Sequence, residues 1–149
     1  MMSMTLTSLP RDQFNLDVTT FQQLLLLANL PTDDLLETGR FFVLEDKRGL
    51  VGFGGLEGTG PDQLLRSVAV APGLRHRGFG AVATERLAEQ ARVDGARRLW
   101  LLTTSAEEYF ARLGWVRADR ASAPEIVQNS RMYHEFCPPE AVLMMRPLA

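Results

Sequence analysis

A chain of 149 residues, 46% of them hydrophobic, is long enough to bury one core and short for two domains of ordinary size. Its formal net charge of -2 gives no global attraction to nucleic acid or to an anionic membrane, so any positive site has to be local. One cysteine, Cys137, excludes an intrachain disulfide framework and a multi-cysteine metal site and fits a reducing cytoplasm.

Met1 to Pro10 has no basic patch followed by an apolar run, so no secretory signal is expected. The apolar run Leu24 to Ala28 falls far short of the roughly 20 residues that span a bilayer. Phe14 to Leu30 carries leucines at helical spacing after a cap at Asp17 and stops at Pro31, which predicts an amphipathic helix, with a short second helix over Thr32 to Glu37. Phe41 to Asp46 and Leu50 to Gly55 are apolar stretches separated by Lys47, Arg48 and Gly49 and read as a hairpin, and Gln63 to Val70 reads as a third strand.

Pro72 and Gly73 break that strand. Gly78 to Asp94 then has apolar or small residues at Phe79, Val82, Ala83, Leu87 and Ala91, the pattern of a helix lying on a sheet, and Gly95 closes it. Arg98 to Thr103 reads as a buried strand, Ala106 to Leu113 as a short helix stopped by Gly114, and Ala141 to Met145 as the last strand. Arg117 to Pro139 is the least regular region, and its length between Ala121 and Pro138 suits a lid. Antiparallel strands followed by a strand-helix-strand crossover predict an α/β (α+β) architecture with a mixed sheet, in a single domain over residues 1–149.

The chemistry is concentrated after the third strand. Val68, Ala69 and Val70 lead through a turn into Arg75-His76-Arg77-Gly78-Phe79-Gly80, which opens the next helix. Unpaired N–H groups and the positive dipole end at a helix N-terminus hold an anion where glycines remove side chains, and Arg75 and Arg77 add charge. The Gly-Lys pair of a Walker loop is absent from this stretch, as is an acidic ribose ligand at a dinucleotide-fold position.

Arg75, Gly78 and Gly80 fill the acetyl-CoA signature of the GNAT superfamily, which this stretch resembles. The resemblance implies a GNAT-type acyl-CoA N-acyltransferase fold, with backbone amides from Arg75 to Gly80 holding the pyrophosphate of acetyl-CoA and the main chain of Val68 to Val70 holding the pantetheine arm. Ala106 to Trp115 resembles the second GNAT signature, with two departures. Phe110 stands where the signature has its tyrosine, leaving Tyr109 one residue earlier and about 100° around a helix. Thr103 stands where an asparagine is frequent and keeps a hydrogen-bonding group for cofactor contact.

In order along the chain, Leu30 to Leu35, Gly55-Leu56-Glu57, Leu65 to Val70, Leu101 to Thr104 and Phe136-Cys137-Pro138 also resemble the arsenic-resistance N-acetyltransferase branch. That likeness implies an amine-bearing arsenical or a related xenobiotic as acceptor. Acetyl transfer to an amine needs a proton acceptor and donors for the carbonyl oxygen, for which the strand at Ser67 to Ala69 offers N–H groups. Glu57 is the candidate for binding or deprotonating the ammonium, against a solvated loop carboxylate. Arg66 and Ser67 are candidates for the acceptor side, with a guanidinium suited to an anion, against a plain surface arginine.

Tyr109 is a candidate acid, as is Tyr133, each against a packing role; Cys137 offers a soft sulfur to arsenic or a reactive thiol, against a structural cysteine beside Pro138; His76 and His134 have no i, i+4 partner for a metal, with His76 facing a phosphate or solvent; and Trp100 and Trp115 read as core. No residue pairs a strong nucleophile with a base, which favours direct attack by the amine. A catalytically weak CoA-binding module is the alternative function. The expected partners are acetyl-CoA and a small-molecule amine, without nucleic acid, membrane or metal, in the cytoplasm; a homodimer, frequent among GNAT proteins, stays open.

Overall fold

The computed structural model describes residues 5–8, 40–47, 49–70, 78–130, 133 and 140–148. The helices expected at Phe14 to Leu30 and Thr32 to Glu37 lie outside the described residues. Seven strands form one sheet: β1 (Thr5–Ser8), β2 (Arg40–Asp46), β3 (Gly49–Glu57), β4 (Asp62–Val70), β5 (Arg98–Thr103), β6 (Val116–Ala118) and β7 (Val142–Pro147), in the order β1-β2-β3-β4-β5-β7-β6. Three helices are described: α1 (Phe79–Val93), α2 (Glu107–Arg112) and α3 (Glu125–Gln128).

Among the described strands only β4 and β5 pair in parallel, with α1 as their crossover; the other neighbours are antiparallel. The expected mixed sheet is thus present. Runs of consecutive buried residues, Val51 to Glu57 in β3 and Gln63 to Arg66 in β4, show that the central strands are covered on both faces.

One face packs on α1. Its apolar stripe brings Leu87, Ala88 and Ala91 onto Phe42, Leu56, Leu65, Leu99, Leu101 and Met144. The helix lies so close to β3 that a Cβ at Gly54 would overlap the Leu87 side chain. The other face carries a second cluster of Leu64, Trp100 and Leu143 with Ala123 and Val127, under α3.

Several expected boundaries move. The third strand starts at Asp62 and the last runs Val142–Pro147, while β1 was not foreseen. Arg117 to Pro139, expected to be irregular, contains part of β6, a 3-10 turn at Arg120–Ser122 and α3. Each is too short to show a sequence period. The 3-10 turn is fixed locally, because the Asp119 carboxylate accepts from the Ala121 N–H at 3.0 Å.

Polar groups clip the start of the parallel pair. The Asp62 carboxylate accepts two hydrogen bonds from Arg98, at 2.6 and 3.0 Å, and one from the Trp100 indole N–H at 2.9 Å. The Arg98 hydrogen bond holds the Asp62 carboxyl below its ordinary value of 3.8, against the opposing effect of burial. A carboxyl depressed in the folded state contributes stability that is complete above 3.8 and is lost as pH falls through the lower folded value.

Asp62→Ala should therefore lower stability by about 1–2 kcal/mol, since it strands the Trp100 N–H and the Arg98 pair is partly exposed. Denaturant melts at neutral pH check this. Wild type should also lose stability on acidification below about pH 4 more steeply than Asp62→Asn does.

Candidate functional site

The β4–β5 ladder pairs Asp62 with Arg98, Gln63 with Leu99 and Leu64 with Trp100, and then stops. Both strands continue, to Val70 and to Thr103. β4 stays paired to β3 and β5 to β7, so beyond the clip the two halves of the sheet diverge and leave a wedge between two strand edges. On its β3 side, β4 also carries a bulge: Phe53 faces Ala69 but Gly55 faces Arg66, so Ser67 and Val68 stand opposite Gly54. A bulge takes a residue out of the ladder and re-aims its backbone groups.

Beyond Val70, residues 71–77 lie outside the described residues, and with them the expected cofactor residues Arg75, His76 and Arg77. The chain resumes at Gly78, whose φ of 84° is left-handed and caps α1 without a side-chain hydrogen bond. The first helical bond runs from the Val82 N–H to the Gly78 carbonyl at 3.3 Å, which leaves the Gly80 and Ala81 N–H groups without an intrahelical acceptor. No acidic side chain stands in the first turn. The Phe79 side chain is buried with Leu44, Val51 and Ala83, and Val68 and Val70 pack against the same cluster. These three residues therefore have only their main chains to offer a cofactor.

Helix α2 is phased by its aromatic pair. Phe110 packs on the core, with its ring centroid 5.8 Å from that of buried Trp115 in an edge-on arrangement. Its ring, at the position where the signature has a tyrosine, is half-buried in this contact. Tyr109 is turned instead toward α1: its Oη lies 2.8 Å from where a Cβ on Gly80 would be. Burial pushes the Tyr109 phenol above its ordinary value of 10.0, with the Arg112 charge acting the other way. The hydroxyl therefore keeps its proton through the neutral range.

Thr103, at the end of β5, has its Oγ engaged by the Ala106 N–H at 3.0 Å, at the start of the turn into α2. It holds the approach of α2 to the sheet, and its hydroxyl proton remains available to another acceptor.

Glu57 and Arg66 are both buried, which overturns the surface alternatives for each. Arg66 Nη1 lies 3.5 Å from Glu57 Oε2, and the Arg66 guanidinium sits 5.8 Å from the Phe41 ring centre. Their face follows from the pleat. Gly54 points at α1, so Gly55 and its cross-strand partner Arg66 point away from it, as does Glu57 two residues on. The pairing was hidden from the sequence because the bulge sets which β4 residue meets Gly55. Ser67 is placed by its backbone alone, and His134 and Cys137 lie outside the described residues. Trp100 and Trp115 are core residues, as expected.

A wedge at the splayed end of a parallel pair, beside a helix N-terminus opened by glycines, is the frame of an acyl-CoA N-acyltransferase. Residues 37–117, more than half of the chain, match the family model described as acetyltransferase (GNAT) domain, and the chain belongs to that family. Solved structures agree in fold. N-acetylglutamate synthase from Neisseria gonorrhoeae, complexed with coenzyme A and N-acetyl-glutamate, superimposes with a TM-score of 0.76 at 19% identity over 99% of this chain and 35% of that one. The chain thus spans about a third of the length of that synthase.

A Mycobacterium tuberculosis protein in complex with CoA gives 0.71 at 20% identity, covering 97% of this chain and 99% of that one. The IAA acetyltransferase from Bacillus cereus gives 0.66 at 18% identity, over 98% and 100%. Compared with curated protein sequences, the chain has no significant match.

The described residues fit acetyl-CoA, the cofactor of the family: a phosphate cradle without side chains at Gly78 and Gly80, no carboxylate in the first turn of α1, and free strand edges for an amide-bearing arm. Gly80→Glu puts a carboxylate into that cradle and onto the Tyr109 hydroxyl. Calorimetry should show CoA binding weakened by at least about tenfold. Unchanged affinity would remove the phosphates from this helix.

Proposed function

We propose that this chain is a single-domain N-acetyltransferase that transfers acetyl from acetyl-CoA to the amine of a small molecule, by direct attack within a ternary complex. The observation that carries the reading is the Tyr109 hydroxyl, protonated and seated on Gly80 at the mouth of the wedge. A domain that merely bound CoA would have no need of a proton donor there.

Bound acetyl-CoA supplies an acetyl group activated as a thioester. The main chain from Arg75 to Gly80 holds the phosphates, with Arg75, His76 and Arg77 flanking them. Val68, Ala69 and Val70 offer backbone groups along the open edge of β4, and the bulge at Ser67 and Val68 aims N–H donors at the acyl oxygen. Tyr109 holds the proton that a departing thiolate takes up. Thr103 borders the wedge at the end of β5, and Phe110 sets the rotation of α2 that brings Tyr109 to it.

The acceptor meets the opposite side of the sheet, where Glu57 and Arg66 supply one negative and one positive group, and Ser67 follows Arg66 along β4. A site of that composition suits an amine that also carries an anion. The resemblance to the arsenic-resistance branch makes amino-arsenicals the first acceptors to try, and the synthase neighbour crystallised with N-acetyl-glutamate makes amino acids the second. A cytoplasmic location goes with this reading.

Tyr109→Phe should lower kcat by about 10²–10³-fold while CoA affinity stays at the wild-type value. Because the phenol lies above its ordinary 10.0, wild-type activity should hold as pH rises and fall only beyond that value, and the variant should lack this alkaline limb. Steady-state rates from pH 7 to 11, on whichever amine the screen returns, test both. Equal kcat in the two proteins would leave the hydroxyl without a role in transfer.

A further inference from the structure

Most of the arginines on the described surface are held by acids. Arg92 is paired with Glu89, Arg98 with Asp62, Arg117 with Glu107 and Arg146 with Glu85. Arg112 is exposed and, like Arg86 and Arg97, is included in no ion pair among the described residues. Glu108, four residues earlier and the usual helical partner, does not reach it.

Its place on α2 matters more than its lack of a partner. Arg112 follows Tyr109 by three residues, which on a helix is about 60° around and about 4.5 Å along, so both leave the same flank. That flank is the one Tyr109 lays on Gly80, in the first turn of α1. The Arg112 charge is near enough to lower the Tyr109 phenol against the effect of burial. Arg112 thus leaves α2 on the flank whose Tyr109 reaches a helix N-terminus with no acid in its first turn.

We propose that Arg112 is a phosphate-binding residue of the acetyl-CoA site, contributed by α2 alongside the first turn of α1; this rests on the acetyltransferase reading above. A fork of N–H donors on a fixed helix suits a phosphate, and the cofactor offers two sources, its diphosphate and its 3′-phosphate. The same residue then ties cofactor binding to the position of Tyr109, because both sit on one short helix.

Calorimetry on the full chain tests this with CoA, dephospho-CoA and pantetheine, on wild type, Arg112→Gln and Arg97→Gln. Arg97 is an exposed arginine beyond the far end of α1 and controls for the loss of one positive charge. Arg112→Gln should weaken CoA by about tenfold, Arg97→Gln by less than about twofold, and pantetheine should bind both variants as it binds wild type.

A loss seen with CoA but not with dephospho-CoA assigns the 3′-phosphate, and an equal loss with both assigns the diphosphate. Equal CoA affinity in wild type and Arg112→Gln overturns the proposal, as does an equal loss in Arg97→Gln. Wild type that binds no CoA overturns the acetyltransferase reading itself, and the proposal with it.

Discussion

Strands β4 and β5 are laced together at one end and separate at the other, and the site is built around that geometry. Asp62, Arg98 and Trp100 fasten the first rungs, and beyond Leu64 and Trp100 each strand follows its antiparallel neighbour. A parallel pair needs a crossover, and here the crossover helix starts beside the open end, so its unpaired N–H groups and the free strand edges face the same space. Moving the clip toward Val70 would close the wedge and bury the edges that a cofactor arm requires.

The two faces of the sheet then carry different tasks. On the α1 side, packing is apolar and close, with Leu87 against Gly54 and Phe79 inserted among Leu44, Val51 and Ala83. This fixes the helix N-terminus relative to β4. On the opposite side Glu57 and Arg66 are buried together, an arrangement that apolar residues of similar volume could replace without loss of stability.

Helix α2 shows how one ring can set the role of another. Phe110 and Trp115 pack edge-on into the core, and a helix of six residues has no freedom left once that face is taken. Tyr109 is thereby delivered to Gly80, where partial burial pushes its phenol above the ordinary value. The displacement of the tyrosine by one position, relative to the signature the sequence resembles, leaves Phe110 on the core and puts a hydroxyl against Gly80.

What the sequence determined by itself was local. The 3.6-residue stripe from Phe79 to Ala91, the strand from Arg98 to Thr103 and the glycines at 78 and 80 following a strand are read from spacing and backbone chemistry alone, and they sufficed for the mixed sheet and for a helix that opens on glycine. β1, β6 and α3 escaped because segments of three or four residues carry no period. Tertiary structure decided the rest. The burial of Arg66 against Glu57, nine residues away, depends on the bulge at Ser67 and Val68, and the facing of Tyr109 depends on which neighbour the core claims first. Both are set by contacts between segments distant along the chain, where hydrophobic packing fixes register and rotation and local propensity has no say.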